Sequence, residues 1–417
     1  MSIYHPLTWR NQLGTKDKKQ GLFHILLDGG HGSSGKGAAV CRLAELLKVQ
    51  NSSANHSANA GHTMVRPDGE AYVFKALPSA AALGWMGSEV RPRLWVGPNS
   101  GFEEAQFLKE IRDMKLRMSD VFVHHRAALV QDHHKQLEGP GGALSTLHIS
   151  STMSGAGATY ASKAMRQLDT LYAGEVDSIK GVATVGRPDS FWRAIQSRLQ
   201  SGESFLHEVA QGFALSLDYG NHDRHGTFRN CTAQQGAADM GILPHQIGNV
   251  YLNLRTYPIR VGNNFDADGN RVGYSGDWEA DQQELDWETI GRAAGMPEEE
   301  IQALFYKEKT TVTKKLRRVA SFTMTGTKFA AAFNGATHLI LNFTSYVDWA
   351  STDVSGGRSA YQGLSRRLRK FVEDIEDGVG LPVVMLGTGA KHDSFILPYG
   401  DINVGSPALS RQPKQAA

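Results

Sequence analysis

Leu22-Phe23-His24-Ile25-Leu26-Leu27-Asp28-Gly29-Gly30-His31-Gly32-Ser33-Ser34-Gly35-Lys36-Gly37 decides the fold class of this chain. An apolar run too short for a typical helix meets a cluster of glycines. Ala38 to Lys48 then carries apolar residues at three- and four-residue spacing, the period of a helix. Strand, glycine loop and helix in that order aim backbone N–H groups and a helix N-terminus at a phosphate. Gly30-x-x-x-x-Gly35-Lys36 fits the first seven positions of the phosphate-loop pattern, but Gly37 stands where a Ser or Thr hydroxyl would hold magnesium. A glycine-rich turn without a ligand would need neither the strand before it nor the helix after it. The stretch predicts a phosphorylated ligand.

Around that stretch the chain has 417 residues, 41% hydrophobic and 21% charged, with a formal net charge of +2. This is ordinary globular composition with room for a large core. The charge leaves no global footprint for nucleic acid. Cys41 and Cys231 fit a reducing cytoplasm, and no run reaches membrane-spanning length, so a cytoplasmic protein is expected. Residues 1–20 read as a polar extension, 21–410 as one catalytic domain with an insertion at about 263–310, and 411–417 as a tail.

Short apolar runs at Tyr72–Phe74, Leu94–Val96, Val121–Val123, Phe205–Val209, His338–Phe343 and Pro382–Leu386 alternate with helical patterns at Phe102–Met118, Pro297–Lys307 and Leu364–Asp377. This alternation predicts an α/β fold: a central, mostly parallel sheet flanked by helices, with inserted subdomains. Ile247 to Arg260 reads as helix into strand. Asn51 to Thr63 is too polar and small for core, and its length points to a functional loop. Ser150 to Tyr160 is a second small-residue loop, followed by Lys163 and Arg166. Ala210-Gln211-Gly212 opens a polar stretch through His222, Asp223, His225 and Thr227. In Thr310 to Arg318, hydroxyls precede cations, as a loop gripping carboxylate or phosphate would need. His124, His125, His133 and His134 match no zinc spacing and read as polar loop and helix surface.

Taken in order, these loops resemble adenylosuccinate synthetase. The family carries a loop like Gly32–Gly37 and a motif identical to Asn59-Ala60-Gly61-His62-Thr63. It also has counterparts of Leu77-Pro78-Ser79, Ser151–Tyr160, Ala210-Gln211-Gly212, Thr227–Ala233, Arg260-Val261-Gly262, Thr313–Arg318 and Gly387-Thr388-Gly389. Two departures matter. Ser33 stands where the family has an aspartate that serves as base toward the purine N1 proton, and Ser34 replaces the next glutamate. The family's guanine-reading Lys-Leu-Asp aligns with Phe343-Thr344-Ser345, although a shifted register would bring in Asp348. The virus-encoded branch of the family, the 2-amino-deoxyadenylosuccinate synthetases, shows this pattern and takes dGMP in place of IMP and ATP or dATP in place of GTP.

The resemblance implies a ligase that joins L-aspartate to C6 of dGMP through a 6-phosphoryl intermediate, giving N6-succinyl-2-amino-dAMP for 2-aminoadenine DNA. An IMP-using synthetase that tolerates Ser33, or an inactive nucleotide-binding relative, are the alternatives. Ser33, Lys36 and His62 are the implied catalytic residues. The nucleoside triphosphate falls to Ser33, Gly35, Lys36, Gly37, Gly61, His62, Thr63, Ser345, Gly387 and Gly389. The purine nucleotide falls to Ser33, Asn59, Ser151, Thr152, Gln211 and Thr227, with Arg166 reaching in from the second subunit of a homodimer. L-Aspartate falls to Val312, Thr313 and Arg317. Mg²⁺ is the implied cofactor, on the Gly61 main chain and on Ser33.

Overall fold

The computed structural model describes residues 21–220, 224–310, 314–400 and 402. The 1–20 extension, the 411–417 tail, His222, Asp223, Val312 and Thr313 lie outside the described residues. Strand β1 (Phe23–Asp28) is buried at all six positions, as a run apolar on both faces requires of a central parallel strand. Leu26 packs into one apolar cluster, and Phe23, Ile25 and Leu27 pack into another. The sheet therefore has a core on each side. The glycine loop leads into helix α1 (Lys36–Leu46), opened by Gly35 at a left-handed φ of 75°, which glycine adopts without steric cost.

The other strands of this sheet are β2 (Asn51–Ala54), β3 (Arg93–Val96), β4 (Val121–His124), β5 (Thr184–Gly186), β6 (Phe205–Gly212), β7 (Ile247–Arg255), β8 (His338–Asn342), β9 (Val383–Gly387) and β10 (Phe395–Ile396). Their spatial order is β10-β9-β8-β7-β1-β6-β2-β3-β4-β5. All neighbours run parallel except β10, which is antiparallel to β9. The chain leaves β1 for β2 on one side and later sets β7 on the other. The crevice beyond the carboxyl end of β1 is thus a switch point of the kind where open α/β sheets bind ligands.

Four segments differ from the sequence reading, and the first, Ser150–Tyr160, is loop only as far as Gly155, since Ala156–Met165 is helix. Asn51–Ala54 is not loop but a fully buried strand. Its polar side chains are tolerated because they are paired: Asn51 accepts from the Trp95 indole at 3.1 Å, and the Ser53 hydroxyl meets His207 Nδ1 at 2.9 Å. Ile247–Arg255 is strand from its first residue, and the helical turn beside it, a 3₁₀ turn at Pro244–Gln246, ends before Ile247. The helix expected over Phe102–Met118 spans only Glu104–Asp113, and Lys115 beyond it takes a φ of 53°. Residues 263–310 contribute a small hairpin, helices Trp287–Ala294 and Glu298–Lys307, and a strand that joins Arg318–Ala320 and Ile259–Arg260 in a second sheet. Trp287, Ile290, Ile301 and Leu304 pack there with Val319 and Tyr346.

His124 and His134 are buried rather than on the surface, each accepting a backbone N–H at Nδ1. Both cysteines are free and buried. No helix among the described residues is long and apolar enough to cross a membrane.

Candidate active site

The loops beyond the carboxyl ends of β1, β2, β6 and β7 enclose a cavity of about 680 Å³. Ser33, Gly35, Lys36, Gly37, Asn59, Gly61, His62, Thr63, Ser151, Thr152, Gln211, Thr227 and Arg317 all line it, although they come from six separated stretches. Arg166 does not. It ends helix α2 (Ala156–Met165) in a left-handed conformation and is exposed, next to Met165 and Leu168, which are 72% and 105% exposed. Ser345, Gly387 and Gly389 also lie off the cavity wall. Ser345 is buried, and a Cβ on either glycine would run into the Asn342 amide or the Asp353 carboxylate respectively. Asp348 caps the turn Trp349–Ser351 instead of facing the cavity.

The phosphate loop is held from below. Asp28 accepts the N–H of Gly30 at 2.6 Å and the hydroxyl of Ser34. Asn253 of β7 and Asn342 of β8 both donate to the Ser34 carbonyl, at 3.0 and 2.8 Å, and Asn342 also donates to Asn253. At the crest Ser33 takes a φ of 48° with an exposed side chain, and its carbonyl accepts from Arg255 Nη1 at 2.8 Å. The absence of a hydroxyl at Gly37 has a steric reason. A Cβ there would sit 3.1 Å from both the His62 Cβ and the Ser79 Oγ. Lys36 Nζ donates to the carbonyls of Val209 and Gln211 at 2.5 and 2.7 Å, at the end of β6. Burial lowers its pKa, against the pull of Asp28 and Glu208.

Two buried carboxylates that the sequence reading passed over organise the rest. Glu208 of β6 takes His62 Nδ1 at 2.6 Å and the N–H and hydroxyl of Ser79 at 3.0 Å each, while His56 stacks on His62 at 4.1 Å. Burial pushes the Glu208 carboxyl up, but the imidazoles of His62 and then His56 outweigh it and hold it well below the usual range. Glu308 accepts from Arg255 and the Tyr346 hydroxyl at 2.6 Å each and from Arg317 at 3.2 Å. Burial is again outweighed, here by Arg255 and then Arg317. The Arg255 guanidinium lies 3.7 Å over the Phe343 ring. Only pairing across 146 residues (His62 to Glu208) or 53 (Arg255 to Glu308) marks these glutamates. A glutamate inside the apolar run Phe205–Val209 was the one local signal.

Chemically the cavity suits anions. Among the described residues its lining cations, Lys36, Arg255, Arg260, Lys307 and Arg317, outnumber its carboxylates, Glu138 and Glu308. Neither carboxylate is idle: Glu138 accepts the N–H groups of Gly155 and Ala158 at the start of α2. Asn59 presents a buried Oδ1 with no hydrogen-bond partner among the described residues, a group that a bound ligand would satisfy.

The adenylosuccinate synthetase family model matches residues 25–178 and 187–352. The chain belongs to the adenylosuccinate synthetase family. Adenylosuccinate synthetase of Pyrococcus horikoshii is 29% identical over 89% of this chain and 97% of that protein. N6-succino-2-amino-2'-deoxyadenylate synthase of cyanophage S-2L is 34% identical over 78% of this chain and 82% of its own. In three dimensions, cyanophage S-2L succinoaminodeoxyadenylate synthetase (PurZ), solved with dGMP and dATP as an energy donor, superposes with a TM-score of 0.71. It is 29% identical and covers 92% of this chain and 96% of that one. Fully ligated adenylosuccinate synthetase from Plasmodium falciparum shares the fold at a TM-score of 0.69 and 16% identity. As an adenylosuccinate synthetase family member, the protein is a ligase that forms a carbon–nitrogen bond on a purine nucleotide.

Proposed function

We propose that the protein condenses dGMP with L-aspartate at the expense of ATP or dATP, giving N6-succinyl-2-amino-dAMP, the nucleoside diphosphate and phosphate. One observation carries the choice of dGMP. An uncharged, exposed hydroxyl, Ser33, crowns the phosphate loop where the family places an acid, and among the described residues neither carboxylate of the cavity wall is free to replace that acid. Guanine brings an amino group at C2 beside N1, and a small hydroxyl that donates or accepts leaves room for it. The cyanophage S-2L relative supports the same reading, since that enzyme was solved with dGMP bound.

In this reading the γ-phosphoryl moves to purine O6 and the aspartate amine then displaces phosphate. Such transfer is mostly positioning and charge neutralisation. Gly35, Lys36 and Gly37 hold the phosphates; Lys36 needs only to exchange two carbonyl partners for phosphate oxygens. Glu208 fixes His62 by Nδ1, so that Nε2 serves the oxygen on which charge develops. Arg317, with Val312 and Thr313, takes the aspartate carboxylates, and the purine nucleotide lies among Ser33, Asn59, Ser151, Thr152, Gln211 and Thr227. Arg166 serves the nucleotide of the partner subunit in a homodimer.

The residues present fit Mg²⁺. That ion prefers oxygen ligands and keeps several waters, using few protein groups, and the exposed Gly61 main chain at the cavity rim is such a group. Bound there, it would neutralise phosphate charge. The cluster of His56, His62 and Glu208, whose ligand atoms lie within 4.8 Å of one another, offers two imidazole nitrogens, a donor set for transition metals rather than Mg²⁺.

Phosphate release from ATP, Mg²⁺ and L-aspartate with either dGMP or IMP tests the proposal. Turnover with dGMP is the expected result. Turnover with IMP alone would return the protein to ordinary adenylosuccinate synthesis. Nucleotide binding by calorimetry without product from either would make it a silent relative.

A further inference from the structure

Arg260 ends the strand Ile259–Arg260 in the family-like Arg260-Val261-Gly262 motif, and the proposed reaction leaves it without a role. It is 2% exposed, yet it lines the cavity. Its Nε donates to the Ser275 carbonyl at 2.6 Å and its Nη2 to the His225 carbonyl at 3.1 Å. Its Nη1 is fully buried and has no hydrogen-bond partner among the described residues. The seat is built to shape: Gly276, at φ 105°, has no room for a Cβ, which would strike Nη2 and Cζ of this guanidinium.

Both partners of Arg260 among the described residues are neutral carbonyls, so no contact there cancels its charge. Asp277 and Glu279 act on it only from a distance, and burial followed by the nearby Arg318 lowers its pKa to about 10. The neighbouring cations differ. Arg318 is paired with Glu284 at 2.6 Å, and Arg255 and Arg317 share Glu308. A buried cation without a contacting anion is costly unless a ligand supplies one.

We propose that Arg260 is a further substrate-binding residue whose Nη1 donates to an oxyanion of a substrate, either a carboxylate of the amino acid or the 5'-phosphate of the purine nucleotide. The inference rests on the ligase reading above for the identity of those two sources. Both offer the charged acceptor that makes a strong hydrogen bond with guanidinium.

The test uses the full-length protein and the variants Arg260→Gln and Arg260→Lys. Calorimetry with dGMP and with L-aspartate, each alone and then with the other reactant and a non-hydrolysable ATP analogue present, reads binding without requiring turnover. The expected result is a loss of affinity of about 10-fold or more for one of the two in Arg260→Gln, as a lost charge-assisted hydrogen bond implies. The other substrate stays within about twofold, and the arm that moves names the oxyanion. Arg260→Lys loses affinity for the same substrate, because one ammonium cannot serve Ser275, His225 and a ligand together. Both affinities unchanged in folded Arg260→Gln, shown by a wild-type melting curve, overturn the proposal. If Arg260→Gln does not fold, unchanged affinities in Arg260→Lys overturn it. Wild-type protein that binds dGMP but makes no product would defeat the dGMP ligase reading while leaving the Arg260 comparison intact.

Discussion

His62 and Glu208 show how one side chain is prepared for work by another. The carboxylate holds Nδ1 at 2.6 Å and is itself held by Ser79, so the ring arrives oriented. His62→Ala is expected to lower turnover about 10²-fold with nucleotide affinity within about threefold, as for a group that acts in the transition state. Steady-state kinetics beside calorimetry checks this, and an equal loss in both would mark a structural role. Glu208→Gln, which keeps shape and removes charge, should fall between wild type and His62→Ala. Ser33→Asp fills the room left by the hydroxyl and is expected to shift the ratio of kcat/KM for dGMP over IMP by about 10-fold toward IMP, since a single polar contact discriminates on this scale. His62 and Ser33 were legible because each sits inside a short contiguous motif. Glu208, Glu308 and Arg255 were not, because their meaning lies in partners far along the chain.

At the level of elements, the glycine loop is shaped by what surrounds it. Restoring the usual phosphate-loop hydroxyl by Gly37→Ser drives a Cβ to 3.1 Å from His62 and Ser79. The expected cost is about 1–3 kcal/mol in denaturant unfolding, the usual penalty for overpacking, together with lower turnover. Four buried glutamates each fasten a segment to its surroundings. Glu110 accepts from the N–H groups of Lys75, Ala76 and Leu77, Glu138 from the start of α2, Glu208 from Ser79, and Glu308 from two arginines. The sheet's apolar strands could be read from sequence because burial on both faces leaves a continuous hydrophobic run. Asn51–Ala54 could not, because its polar side chains are satisfied by Trp95 and His207, neither of them near in sequence. Ile247–Arg255 was misread at its start because Ile247, Val250 and Tyr251 also fit the spacing of a helix face, and only sheet pairing on both sides selects the extended form.

For the whole molecule, buried histidines set a pH dependence, and His24, His207 and His124 illustrate it. Burial, reinforced by His338, lowers His24 to about 4. Burial and then His56 lower His207 to about 3, and burial and then Lys163 lower His124 to about 4. The unfolded chain binds these protons near pH 6.5, while the folded one refuses them until about pH 3 to 4. The stability these groups confer is therefore complete above about pH 6.5 and falls as the pH drops from there toward 4. Urea titrations at stepped pH check this, and a flat profile across that window would contradict it. Assembly gives a second prediction. If Arg166 serves a partner's nucleotide, the protein sediments as a dimer, and Arg166→Ala raises the KM for the purine nucleotide about 10-fold, the scale of one charged hydrogen bond. A fully active monomer would exclude that role. The amides of Asn253 and Asn342 beneath Ser34 carry one last consequence. They belong to adjacent strands, so the curve of the glycine turn is moulded by how those strands align, and a chain that has zipped β7 onto β8 has cast its phosphate cradle before any nucleotide arrives.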